Sequence, residues 1–587
     1  MTRTWVAVAG AAALLAAALA AGLLAGRGAT AGRASHRGAG LAAYDLIIAG
    51  GTVVNGTGGP RFRADVAVTG DRIVAIGDLR GRTARRTIDA AGLVVAPGFI
   101  DMLGQSEATI LVDPRGVSKV TQGITTEITG EGLSAAPVNP NTLRDDSAQY
   151  AAWGLVVDWH DLAGYLRRLE RSGTPINIAT FVGATQVRQY VLGDAPRAPT
   201  RAELARMEAL VDTAMRQGAL GVSSALGYSP AYYASTAELV ALARVAAKYH
   251  GLYATHIRNE GSRIDEALDE AFRIGREAGL PVEVWHLKLA GRANWGRMGQ
   301  ILARFERLRE AGQIVGADSY PYTATATSLD AILPAWVHAG GDDAMIRRLQ
   351  QPADRARVKR EMGDRWRGSR GGEAPGGASA LSGVMVLGVR DSTLRRFEGR
   401  RILDIARDEG KDPFDVLFDL LVADHAGTGT AVFAMSEADV RATIAAPWVG
   451  VGSDFGAVAP DGPLHMRQVH PRAYGTFPRI LGKYVREEHA LTLEAAIHKM
   501  TGVAAQRMGL QQRGLVWPGF YADLTIFDPA TVADRATFEN PQQLSVGIRY
   551  VIVNGRFTMD DGRLTGERPG RALRGPGWVE AAWGEGP

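Results

Sequence analysis

Leu252-Tyr253-Ala254-Thr255-His256 and Pro281-Val282-Glu283-Val284-Trp285-His286 are two short apolar runs, and each ends on a histidine. Their length and composition predict buried strands. Between them, residues 262–279 place Ile264, Leu268, Ala271 and Gly275 at helical spacing. Ser262 is the expected N-cap, with Asp265 three residues on, and Gly279 the expected stop. Strand, helix and strand in that order predict a parallel βαβ unit. Neighbouring strands lie about 4.8 Å apart, so the two histidines end adjacent strands at corresponding points.

The same alternation continues on both sides. Further candidate strands fall at 93–100, 124–129, 176–182, 219–223, 314–318 and 448–453, with helical patterns such as 203–216 and 236–249 between them. With the strands at 252–255 and 281–285 the count is eight, the number that a closed (β/α)8, TIM-like barrel needs. The expected class is therefore α/β. Both ends of the chain read as β only. Tyr44-Asp45-Leu46-Ile47-Ile48, Asp65-Val66-Ala67-Val68 and Arg72-Ile73-Val74-Ala75-Ile76 are echoed by Asp523-Leu524-Thr525-Ile526-Phe527 and Tyr550-Val551-Ile552-Val553. A small composite β-sandwich, contributed by 44–96 and 506–587, is expected around a barrel at 97–505. The long gap before the last barrel strand predicts an insertion over 334–446. It contains Arg367-Gly368-Ser369-Arg370-Gly371-Gly372 and Pro375-Gly376-Gly377, which read as a mobile loop.

Composition narrows the function. The 587 residues are 46 % hydrophobic and 22 % charged, with a formal net charge of +4. That is ordinary for a globular enzyme. No long basic run with interleaved aromatics suggests nucleic acid as a partner. With no cysteine in the chain, neither a disulfide nor a thiolate ligand is possible. A metal would have to be held by His and carboxylates, which suits zinc. Arg3 precedes an uncharged Ala/Leu-rich run to Gly26, and Ala29-Thr30-Ala31 fits a small-x-small cleavage site. Residues 1–31 thus read as an export signal or, if uncleaved, a membrane anchor, with 32–43 as a linker. The expected location is periplasmic or secreted, with membrane contact only through an uncleaved leader.

Four acidic or imidazole groups fall just after candidate strands: Glu131, His256, His286 and Asp454. In a (β/α)8 barrel the active site lies at that end of the strands. A lone histidine there is more often a hydrogen-bonded structural residue, but two at matching points of adjacent units suit one shared ion. Asp454 ends the apolar run Trp448-Val449-Gly450-Val451-Gly452-Ser453 and is either a structural cap or a base for an activated water. His338, His425, His465 and His470 lie in loops and receive no role.

These residues sit within motifs that resemble the amidohydrolase superfamily, most closely its D-aminoacylase (N-acyl-D-amino-acid deacylase) branch. The similarity runs from about Tyr44 to Gly555. It is carried by Pro97-Gly98-Phe99-Ile100-Asp101, Gln122-Gly123-Ile124-Thr125-Thr126, Tyr253-Ala254-Thr255-His256-Ile257-Arg258 and His286-Leu287-Lys288. Gly291-Arg292-Ala293-Asn294-Trp295-Gly296, Tyr320-Pro321-Tyr322-Thr323, Gly452-Ser453-Asp454 and His470-Pro471-Arg472-Ala473-Tyr474-Gly475-Thr476-Phe477 complete it. The resemblance implies His256 and His286 as ligands of the tightly held metal and Asp454 as the catalytic aspartate. It implies Arg472 as the partner of a substrate carboxylate, and Lys288, Tyr322 and Ser328 as residues near the substrate.

Two departures from the family pattern stand out. The His-x-His pair expected after the first barrel strand is replaced in Asp101-Met102-Leu103-Gly104-Gln105, so the second metal site should be empty or absent. Glu131, in Thr129-Gly130-Glu131-Gly132, stands where the branch often has cysteine. Glutamate is a competent zinc ligand, and Glu131 with two histidines leaves a fourth position open. The implied chemistry is hydrolysis of a linear, non-peptide C–N bond in an N-acyl amino acid, with one zinc per chain. The implied partner is a small amide bearing a carboxylate. Two other readings are a cyclic amidase of the hydantoinase or dihydroorotase kind, and a degenerate barrel that binds a ligand or partner without catalysis.

Overall fold

The computed structural model describes residues 43–144, 146–368 and 381–580. The expected leader and all but the last residue of the expected linker lie outside the described residues, as does most of the Gly-rich loop. The first folded segment forms β1 (Tyr44–Val53), β2 (Phe62–Thr69), β3 (Arg72–Gly77), β4 (Ala84–Asp89) and β5 (Val94–Pro97). β1 pairs antiparallel with β2 and parallel with β4 and β5. Its register shifts between Ile48 and Gly51. A Cβ on Gly51 would lie 2.6 Å from the Val95 side chain, so the bulge requires glycine there.

The single strand expected over 93–100 is two strands in two sheets. β5 stays in the terminal sheet, whereas β6 (Phe99–Asp101) begins a parallel series. The chain switches sheets at Gly98, where a Cβ would fall 2.1 Å from the Thr125 hydroxyl. An unbroken apolar pattern conceals such a switch, because both strands are buried.

β6 is followed by β7 (Ile124–Thr129), β8 (Asn177–Thr180), β9 (Val182–Gly183), β10 (Gly221–Ala225), β11 (Leu252–His256), β12 (Val282–Val284) and β13 (Val315–Ser319). Parallel pairing joins β6–β7–β8 and, separately, β9–β10–β11–β12–β13. Phe181 alone separates β8 from β9. The helices between these strands bury one face each. Ile264, Leu268, Ala271, Phe272 and Ile274 do so on the helix Ile264–Ala278. Burial of each large side chain contributes about 1.5–3 kcal/mol. Gly279 ends that helix in the left-handed conformation, as expected, and its N–H donates to the Gly275 carbonyl. The expected start is corrected: Arg263, not Ser262, is the N-cap, and it makes no side-chain cap bond. The Asn259 side chain instead accepts from the N–H groups of Gly261 and Arg263, and so supplies the entry turn.

β14 (Thr325–Ser328), β15 (Val384–Val386) and β16 (Gly429–Val432) form a separate antiparallel sheet in the order β14–β16–β15. Its helices close a core of their own that includes Leu329, Val337, Leu349, Ile402, Leu417 and Leu421. β17 (Val449–Val451) then pairs parallel with β13. On its other side the Met102 N–H donates to the Val451 carbonyl, the Asp454 N–H donates to the Leu103 carbonyl, and Gly104 bridges to Phe455. The remaining strands, β18 (Leu524–Phe527), β19 (Ile548–Val553), β20 (Arg556–Asp560) and β21 (Arg563–Leu564), return to the first sheet, where β18 pairs antiparallel with β5. Strands from both ends of the chain therefore share one nine-stranded sheet. No described helix is long and apolar enough to cross a membrane.

Candidate metal centre and active site

The C-terminal ends of β7, β11, β12 and β17 bring Glu131, His256, His286 and Asp454 together. Glu131 lies between Gly130 and Gly132, both with positive φ. A Cβ on Gly132 would fall 2.6 Å from that of Ala225, so the loop after β7 packs against β10 too closely for a larger residue. Glu131 Oε1 lies 3.2 Å from His256 Nδ1 and 2.8 Å from His286 Nε2. One donor atom from each of the three lies within 4.8 Å of the others. A tetrahedral zinc with bonds of about 2.1 Å places its ligands about 3.4 Å apart. The cluster is close to that spacing, and its carboxylate and imidazole donors suit the ion.

Each ligand has a supporting shell. The His256 ring is flanked by Tyr228 and His286 at centroid distances of 4.8 and 4.5 Å. His286 adopts φ +38°, and its N–H donates to Asp318 Oδ1 at 3.0 Å, which holds this uncommon turn. Its Nδ1 lies 3.0 Å from Glu260 Oε1 and 2.7 Å from Lys288 Nζ, and Lys288 donates to the same Glu260 oxygen at 2.6 Å. A carboxylate behind a ligating histidine fixes the ring and raises its basicity. Among these side chains, burial and Lys288 push the His286 pKa down. Glu260, Asp454 and Glu131 outweigh them and lift it to about 10.

Asp454 faces the cluster with φ +53°. Its Oδ1 accepts from Gln105 Nε2 at 3.1 Å, and its Oδ2 lies 2.7 Å from Arg472 Nη1. Burial pushes its carboxyl up, and Arg472 and His286 pull it only partly back. Beneath the site, buried Lys119 donates to Asp101 at 2.9 Å, to Ser453 at 2.9 Å and to the Phe455 carbonyl at 2.6 Å. This ammonium ties the end of β6 to the loop that carries Asp454. A Cβ on Gly104 would lie 1.9 Å from the Glu127 carboxylate, so the chain can pass there only as glycine.

Arg472 is 2 % exposed. Its Nη2 donates to the Ala326 carbonyl at 3.3 Å, while Nε and Nη1 lack an aligned hydrogen-bond acceptor. His470, a loop histidine without a role in the sequence reading, orients it: its Nδ1 accepts from the Arg472 N–H and its Nε2 meets the Ala324 carbonyl, both at 3.0 Å. Arg472, Gln105 and Phe455 line a cavity of about 680 Å³, with Ala148, Leu387 and Val389 among its apolar walls.

The other expected substrate contacts are placed differently. Lys288 sits behind His286, bound to Glu260, and is buried. The Tyr322 hydroxyl donates to the Pro471 carbonyl at 3.4 Å, and its ring packs on His470. Tyr320, two residues earlier, is the ring that lies under the Arg472 guanidinium, 4.7 Å away. Ser328 is exposed at the end of β14, whereas Ala326 and Thr327 reach the cavity wall. Glu260, Gln105, Tyr320 and His470 were not singled out as site residues from sequence. Only their nearness in the chain to His256, the changed first-strand motif, Tyr322 and Arg472 points toward them.

Comparison with known proteins identifies the family. The amidohydrolase family model matches residues 86–559. D-aminoacylase of Alcaligenes xylosoxydans xylosoxydans is 36 % identical over 537 residues, 90 % of this chain and 97 % of that protein. N-acyl-D-aspartate deacylase of the same organism is 37 % identical over 90 % of this chain and 95 % of its own length. Among solved structures, N-acyl-D-glutamate deacylase from Bordetella bronchiseptica, complexed with zinc and a phosphonate mimic of the tetrahedral intermediate, superposes with a TM-score of 0.75. It is 35 % identical, and the match covers 90 % of this chain and 99 % of that one. A D-aminoacylase whose binuclear centre is described as activated by one metal and attenuated by a second has the same TM-score at 37 % identity, over 90 % of this chain and 100 % of its own. With the family matched over most of its length and its motifs gathered at one site, this chain belongs to the amidohydrolase family.

Proposed function

We propose that this protein is a metal-dependent deacylase of N-acyl amino acids, with the D configuration preferred, and that it takes one zinc per chain. The observation that carries this reading is the convergence of Glu131, His256 and His286 opposite Asp454, joined through Gln105 and the buried Arg472 to the cavity that these two residues line. Glu131, His256 and His286 would hold the ion. When bound, it supplies Lewis-acid polarisation of the amide carbonyl and lowers the pKa of water toward about 7. Asp454 takes the proton of the attacking water and delivers it to the departing nitrogen. Arg472, paired with Asp454 through Nη1, is the buried cation of the cavity wall that would meet the substrate carboxylate, and a planar guanidinium suits that group. The apolar walls near Leu387, Val389 and Phe455 accommodate an acyl group or an apolar side chain.

The same proposal covers the architecture and location. The eight parallel strands β6 to β13 and β17, counting β8 and β9 as one, close as a (β/α)8 barrel. The hydrogen bonds from Met102 and Asp454 across to Val451 and Leu103 support closure. The terminal strands form the composite β-domain, supported by the β5–β18 pairing. The export signal at 1–31 rests on the apolar leader and its Ala29-Thr30-Ala31 site. The deciding experiment is a screen of N-acetyl-D- against N-acetyl-L-amino acids with the zinc-loaded enzyme. Selective hydrolysis of the D series is expected. Equal hydrolysis of both, or of neither, would reject the substrate assignment.

A further inference from the structure

We propose that Gln105 is a positioning residue whose side-chain amide stands between Glu131 and Asp454 in place of a second metal ion, and so keeps the centre at one ion. This rests on the reading that Glu131, His256 and His286 bind zinc and that Asp454 is the base. Gln105 Nε2 donates to Glu131 Oε2 at 2.9 Å and to Asp454 Oδ1 at 3.1 Å. Both neighbours are carboxylate oxygens, so only the NH2 end of the amide can face them, and its two N–H groups match the two acceptors.

The position is held from the backbone. The Gln105 N–H donates to the Phe455 carbonyl at 3.3 Å, and the Asp454 N–H donates to the Leu103 carbonyl at 2.7 Å. Gln105 and Asp454 therefore project from strand ends that are tied to each other.

The chemical consequence follows from what the amide can and cannot do. It separates two like charges with N–H dipoles and adds no net charge. A dication at the same place would take the Asp454 lone pair that must receive the water proton, whereas a hydrogen-bond donor can release it. The similar D-aminoacylase has a binuclear centre with second-metal attenuation. In this chain the place between Glu131 and Asp454 is taken by a neutral group on the loop after β6.

The test is a zinc titration of metal-stripped enzyme, read by elemental analysis after dialysis, alongside steady-state kinetics. The parent enzyme should take one equivalent and keep its kcat in excess zinc. Gln105→Met preserves volume without the donor. It should still take one equivalent and melt with the parent, while kcat falls roughly 10- to 100-fold and KM stays within about twofold. Leu103→His/Gln105→His should take a second equivalent and become sensitive to excess zinc. Two equivalents in the parent, an unchanged kcat in Gln105→Met, or a folded double variant that still takes one equivalent would each overturn the inference. Failure of the parent to bind any zinc would instead overturn the metal reading on which it rests. If the double variant does not fold, the methionine variant decides.

Discussion

Glu260→Gln isolates the part of the site that no motif announced. The substitution keeps the side-chain volume and one acceptor oxygen but removes the charge facing both Lys288 Nζ at 2.6 Å and His286 Nδ1 at 3.0 Å. Hydrogen bonds to charged groups contribute about 1.5–3 kcal/mol, against about 0.5–1.5 for neutral ones, so the contact with His286 weakens by about 1–1.5 kcal/mol, while Lys288 keeps its charge and faces a neutral oxygen. The Lys288 share falls on folding, because that ammonium is buried and loses its counter-charge. The His286 share falls on the metal site and converts to a loss of about 5- to 12-fold in zinc affinity. That is near the low end of what carboxylates behind ligating histidines usually contribute. Zinc competition against a chromophoric chelator at fixed pH, with thermal melting of the apo protein in parallel, separates the two shares. Adding Lys288→Met should restore part of the apo stability, because it removes the buried ammonium that has lost its counter-charge. A zinc affinity within twofold of the parent, in a variant that has folded, would refute the claim that Glu260 orients His286.

Asp454→Asn cannot accept the water proton, so kcat should fall by about 10²- to 10⁴-fold while the zinc content stays at the parent value. Steady-state kinetics with metal analysis checks this, and retained turnover would remove Asp454 as the base. Lys499 is buried and donates to the carbonyls of Ile444 and Ala446, and burial lowers its pKa to about 7. Because the folded value lies below the unfolded one, near 10.4, the unfolded chain binds more protons between pH 7 and 10, and this lysine makes stability rise with pH there. Lys499→Met removes the term. The stability of the variant relative to the parent should therefore be highest near pH 7 and shrink by roughly 1 kcal/mol per pH unit toward pH 10 in denaturant unfolding. A difference independent of pH would contradict the assigned shift.

Local patterning was enough for the repeating frame. The runs before His256 and His286 are short, apolar and separated by an amphipathic helix that stops at Gly279, and the structure contains each of these features. Glu131, His256, His286 and Asp454 were legible for the same reason: once strands are parallel, residues at their C-terminal ends share one face whatever their distance in the chain. The pattern could not locate the change of sheet at Gly98, because strands buried in either sheet read alike. Nor could it locate the start of the helix after His256, where the Asn259 side chain supplies the turn expected of Ser262.

The site's second layer was decided in three dimensions. Which tyrosine of Tyr320-Pro321-Tyr322 faces Arg472 depends on how the chain leaves β13, and Tyr320 has that place. Lys288 is turned to Glu260 by a charge pair formed between two different loops. Gln105 reads as a missing ligand in one dimension, but the folded chain puts its amide against two carboxylates from the strands on either side of it. Periodicity and strand-end chemistry are local or nearly so, and a single chain displays them. Hydrogen-bond partners across a site depend on the packing of loops with no common period, and only the tertiary structure assigns them.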